Sequence, residues 1–135
     1  MPTPESIVLG KCKEMLKRLE TMGWVVYWNR MEVGIHYNMQ GYIQKHGRKG
    51  DPDLFAFVAC DNECHVLFLE VKRDDGKGIQ SESQQQFEKR WIGLHNVSYT
   101  IITDAKQIKT LVENIRRKAK DYGKIEDWEL PKEIG

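Results

Sequence analysis

The chain has 135 residues, 40% hydrophobic and 30% charged, with a formal net charge of +1. That length suits one domain with a core, residues 1–135, and not two. No apolar run is long enough to cross a membrane, and the start lacks the basic-then-apolar order of a secretory signal, so an intracellular protein is expected. The near-neutral average excludes a uniformly basic nucleic-acid binder, but charge is unevenly distributed. Lys45, His46, Arg48 and Lys49 form one basic cluster, and Lys72, Arg73 and Lys77 a second. Lys106, Lys109, Arg116, Arg117, Lys118 and Lys120 load the last predicted helix.

Thr3, Pro4 and Glu5 make a good helix start: a capping hydroxyl, a proline suited to the first turn, and an acid where the dipole favours one. Val8, Cys12, Met15, Leu16 and Leu19 then recur at helical spacing, and "TMG" at 21–23 ends the helix. "WVVYWN" at 24–29 reads as a strand. Residues 31–50 read as a long, polar, glycine-punctuated loop. "PDLFAFVAC" and "CHVLFLEVK" read as the two strands of a hairpin. "RDDGKGIQ" is a loop, "SESQQQFEKRWIGL" a helix, and "VSYTIIT" a strand. A last helix runs from about Ala105 to Lys120, and the tail 121–135 contains Trp128 as a docking residue. The order α-β-β-β-α-β-α predicts an α/β domain of two or three layers with a mixed central sheet.

Cys12, Cys60 and Cys64 are expected as free thiols. "CDNECH" offers Cys60, Cys64 and His65, but neither the spacing nor a second ligand pair for zinc, so a hairpin turn is the reading preferred.

The chemistry centres on "FLEVKRDDG". Strand alternation puts Val66, Phe68, Glu70 and Lys72 on one face and Leu67, Leu69 and Val71 on the other. Both faces are apolar before Glu70, as in a central strand. Charges entering that setting cost several kcal/mol unless paired or bound to a metal. Asp53 begins the partner strand with Phe55 and Phe57 on its face. It converges on Glu70 when paired residue numbers sum to an odd value. A two-residue turn at Asp61-Asn62 pairs Asp53 with Glu70, and a four-residue loop pairs it with Lys72. Asp51 shares its parity and competes as a ligand. Two carboxylates beside an ammonium suit Mg²⁺ and phosphodiester hydrolysis. Glu5 lies on the apolar stripe of the first helix, where it either complements the dipole or points to the site. Gln84 lies in line with Phe87, Trp91 and Leu94, and also completes the capping box begun by Ser81.

Together, "GDPDLFAF", "LEVKRDDGKGIQSESQQQF", "PES" and "YWNR" resemble the PD-(D/E)XK nuclease superfamily, and within it the virus-type replication-repair nuclease (VRR-NUC) family. The resemblance spans residues 5–105, in a core of about 5–120. It implies a restriction-endonuclease-like fold, with Asp53, Glu70 and the Val71 carbonyl as metal ligands and Glu5 as an acid near the metal. Lys72 becomes the catalytic lysine and Gln84 the glutamine of the following helix, although Gln85 and Gln86 blur that assignment. The implied metal is Mg²⁺, with Mn²⁺ a substitute. The implied activity is cutting of branched DNA by a homodimer resembling Holliday-junction resolvases, in a bacterial cytoplasm for a phage-like member. Lys45, Arg48, Lys49, Arg73 and Lys77 are the expected DNA contacts. Competing readings are a flap or nicking nuclease, a DNA-binding module using Trp24, Tyr27, Trp28 and Tyr42, and an interaction subunit using the tail.

Overall fold

Residues 2–31, 34–37, 40–41, 43–46 and 48–118 are described in this computed structural model, with 34–37 and 43–46 as backbone alone. The Lys45 and His46 side chains, Tyr42, Lys120 and the tail with Trp128 therefore lie outside the described residues.

The first helix, α1, spans Pro4–Thr21, and its cap forms as expected, with the Thr3 hydroxyl accepting the Ser6 N–H at 3.1 Å. Its stripe of Val8, Cys12, Leu16 and Leu19 is buried. Strand β1 is Val25–Arg30. The segment expected as a loop instead contains two short strands, β2 (Gly34–Tyr37) and β3 (Ile43–His46), paired antiparallel in a sheet of their own. Their polar composition hides them, because alternation signals a strand only when one face is buried in apolar residues.

Strands β4 (Leu54–Cys60) and β5 (Glu63–Val71) form the expected hairpin. A two-residue turn at Asp61-Asn62 joins them, with Asp61 at a φ of 51°, which aspartate tolerates better than most residues. Helix α2 is Glu82–Trp91 and strand β6 is Val97–Ile102. The expected helix over 81–94 stops early: Ile92 is extended, Gly93 has a φ of 85°, and Leu94 lies beyond the helix, 52% exposed. A final helix, α3, covers 106–118.

The main sheet has the order β1-β4-β5-β6, antiparallel except for the parallel β5–β6 pair. This is the mixed sheet expected, with β5 inside it. One face carries Leu54, Ala56, Val58 and Cys60 of β4, Leu67, Leu69 and Val71 of β5, and Ile102 of β6. The stripe of α1 and Ile108, Val112 and Ile115 of α3 cover this face. Burying each large aliphatic side chain there contributes about 1.5–3 kcal/mol. Arg116 of α3 donates to the Ala59 carbonyl and lies 5.5 Å from the centre of the Trp24 ring. The opposite face carries Phe68, which meets Phe87 at 5.0 Å and Trp91 at 4.9 Å, so α2 packs over β5 and β6. Three layers result, with the sheet between α1 and α3 on one side and α2 on the other. Among the described residues, no helix is long and apolar enough to cross a membrane.

Candidate active site

The hairpin register decides whether the two acids meet. Leu54 pairs with Leu69 and Cys60 with Glu63, so residue numbers sum to 123, the odd register of the two-residue turn. Continued by one residue, it sets Asp53 opposite Glu70 on the face that carries Phe55 and Phe68. Asp53 Oδ2 accepts the Val71 N–H at 2.8 Å, tying the start of β4 to the end of β5. Regular antiparallel geometry turns the Val71 carbonyl to the same side.

Glu70 is buried, at 2% exposure. Its Oε1 accepts from the Gln84 amide and lies 3.6 Å from Lys72 Nζ. Its Oε2 is buried with no hydrogen-bond partner. Lys72 Nζ donates to Gln84 Oε1 at 3.1 Å, so one glutamine bridges the acid and the lysine. Gln84 is itself held by the capping box: its Oε1 accepts the Ser81 N–H at 2.8 Å, and its N–H donates to the Ser81 hydroxyl at 3.2 Å. Capping and site contact are therefore one arrangement. Gln85 donates instead to the Gln80 carbonyl at 3.4 Å, and Gln86 is exposed. This resolves which glutamine lines the site.

Burial pushes the Glu70 carboxyl up to about 8, and the neighbouring Asp53 adds to the rise against the pull of Lys72. Burial also raises Asp53, while the Val71 N–H, Lys72 and Arg30 lower it. A buried acid, Glu70, and a half-buried one, Asp53, thus share one close ammonium, that of Lys72. An unpartnered buried carboxylate oxygen costs about 1–3 kcal/mol, more when charged. A hard divalent cation fits this donor set, which offers carboxylate and carbonyl oxygens, the ligands such ions take. Among the described residues no group of three or more His, Cys, Asp or Glu side chains is gathered as a metal site, and the carboxylates that could hold such an ion at this end of the sheet are those of Asp53 and Glu70.

The remaining candidates separate. Glu5 is exposed in the first turn of α1 and acts on Glu70 through its charge, the smallest of the effects on that group. Asp51, the alternative ligand, accepts the Arg48 N–H through Oδ2 at 2.9 Å in a local turn, as Asp53 accepts the Val71 N–H. Arg48, Lys49 and Lys77 are exposed near this end of the sheet. Arg73 is paired with Asp75 at 2.5 Å, and the Lys77 backbone N–H also donates to Asp75. Cys12 and Cys60 are buried free thiols and Cys64 is an exposed one. His65 bonds the Ser98 hydroxyl at 2.7 Å at the opposite end of β5. Trp24 and Trp28 pack against the core, which leaves Tyr27 as the aromatic of β1 on the site face.

Sequence reasoning overlooked Gly50. It has a φ of 92°, and a Cβ there would stand 2.5 Å from the Ser83 carbonyl oxygen. The turn before β4 thus lies directly on the first turn of α2, locking the acid-bearing strand to the glutamine-bearing helix. "GDPD" contains the signal, but its meaning depends on a contact across 33 residues. Comparisons with protein families, curated proteins and solved structures found no match for this chain.

Proposed function

We propose that this chain is a divalent-metal-dependent DNA endonuclease of the PD-(D/E)XK type, VRR-NUC-like, that hydrolyses phosphodiester bonds in branched DNA as a homodimer. The observation that carries the reading is the buried Glu70, facing Asp53 across the hairpin and joined to Lys72 through Gln84. Asp53, Glu70 and the Val71 carbonyl would hold Mg²⁺, or Mn²⁺ in its place. Such an ion supplies charge neutralisation at the phosphodiester and acidifies water. Lys72 provides the ammonium that stabilises charge developing on phosphate oxygens, and Gln84 keeps it from collapsing fully onto Glu70. Exposed Arg48, Lys49 and Lys77 supply neutralisation of neighbouring phosphates.

The test incubates the protein with a four-way junction, a flap, linear duplex and single-stranded DNA, each with Mg²⁺ or EDTA. Metal-dependent cutting, strongest on the junction, is the expected result, with Lys72→Ala slowed roughly 10²–10³-fold. No metal-dependent cutting of any substrate, or a Lys72→Ala variant as active as the parent, defeats the proposal. Salt-sensitive DNA binding without cutting is the result expected of a binding module.

A further inference from the structure

We infer that the open half of the site-bearing sheet face is a stacking platform for an unpaired DNA base next to the cleaved phosphodiester. This inference rests on the nuclease reading above. Strand β4 carries Asp53, Phe55 and Phe57 at alternate positions, so the two rings continue directly from the acid. Phe55 lies about 7 Å along the strand from Asp53, within reach of a nucleotide adjoining a phosphate at the site. Tyr27 of β1 pairs with Phe57 and shares its face. Its ring centre is 6.1 Å from that of Phe55 and 6.2 Å from that of Phe57, and the Tyr27–Phe57 planes are nearly parallel at 27°. Phe55 and Phe57 are 5.5 Å apart.

The two halves of this face differ. Over β5 and β6, Phe68 and Tyr99 are roofed by Phe87 and Trp91 of α2. Over β1 and β4, Tyr27 remains 47% exposed and Phe55 and Phe57 are half-buried. The Asn29 amide donates to the Tyr27 hydroxyl at 3.0 Å, which fixes the ring before a ligand arrives and reduces the entropy cost of binding. A polar-tipped aromatic floor suits a base, which presents a π-face to the rings and polar edges to water. Its continuity along β4 with Asp53 and the acid-lysine site favours a nucleic acid over an apolar protein segment. In a paired duplex both faces of each base are already stacked, so the platform selects a base freed at a junction or flap.

The test uses a single-stranded oligothymidylate carrying one 2-aminopurine, whose fluorescence falls on stacking, with EDTA present to prevent cutting. The parent protein is expected to quench the probe. Tyr27→Leu is expected to bind it roughly 5- to 150-fold more weakly, with quenching lost, and Tyr27→Phe to keep the quenching with a much smaller loss of affinity, since it keeps the ring and loses only the Asn29 bond. Binding to the same label inside a full duplex is expected to change little with either variant. Unaltered probe binding by Tyr27→Leu overturns the platform, as does an equal loss on single strand and duplex. A fall of Tyr27→Leu to a smaller species in sedimentation also overturns it, by making this face a contact between copies. In each of these cases metal-dependent cutting by the parent leaves the nuclease reading standing. A parent that neither binds nor cuts DNA removes both.

Discussion

Glu70 concentrates the cost of this site in one side chain. Its carboxyl is pushed up to about 8 by burial, against an ordinary value of 4.5. Between those values the folded metal-free protein holds a proton that the unfolded chain has released. Stability therefore falls as pH rises through that window, by up to a few kcal/mol in all. Denaturant unfolding in EDTA at about pH 5 and about pH 8 should show this fall, and Glu70→Gln should flatten it. A variant with the same slope as the parent assigns the effect to another group. Gln84→Ala should lose about 1 kcal/mol of stability through the cap and, separately, release Lys72 onto Glu70, slowing cutting more than the stability loss explains. Single-turnover rates at saturating DNA distinguish the two effects.

At the scale of elements, the site depends on one register and one helix–turn contact. Gly50→Ala adds a Cβ where the Ser83 backbone stands and where φ is unfavourable for any L side chain. A loss of about 1–3 kcal/mol in denaturant unfolding is expected, with activity falling further because Gln84 moves with α2. Activity loss proportional only to unfolding would reduce Gly50 to a turn residue. Leu69, fully buried on the opposite face of β5, provides a contrast. Leu69→Ala should lose about 2–5 kcal/mol while leaving the folded fraction able to cut. Much at this scale was readable in the chain: the cap at Thr3, the hairpin, and the condition that only an odd register brings Asp53 to Glu70. The β2–β3 pair was not, because its residues lack apolar alternation. The end of α2 was misread because Leu94 continues the helical stripe past Gly93.

Among the described residues, α2 covers part of one sheet face while α1 and α3 close the other, and the charged site lies on the less covered side. Mg²⁺ at saturating concentration should raise the melting temperature by binding the folded state alone, equivalent to about 2.7 kcal/mol at a hundredfold excess over Kd. Asp53→Asn and Glu70→Gln should each remove most of that rise in a thermal scan. Two symmetric cuts in a four-way junction require two copies of the site, so sedimentation at micromolar protein should give a dimer under the proposed function. A monomer that still cuts shifts the substrate toward flaps or nicked DNA.

The sequence alone determined the local features, because capping, alternation and turn chemistry act over a few residues: where α1 starts, which face of β5 carries Glu70 and Lys72, and which residues join them if the register is odd. Only the tertiary structure decided that the register is odd, that Gln84 bridges Lys72 and Glu70, and that Gly50 touches α2. These depend on distances between segments far apart in the chain, and such distances are set by how the sheet and helices pack. That packing turned "FLEVKRDDG" from a charged strand end into one wall of a site with a buried, unpartnered carboxylate oxygen.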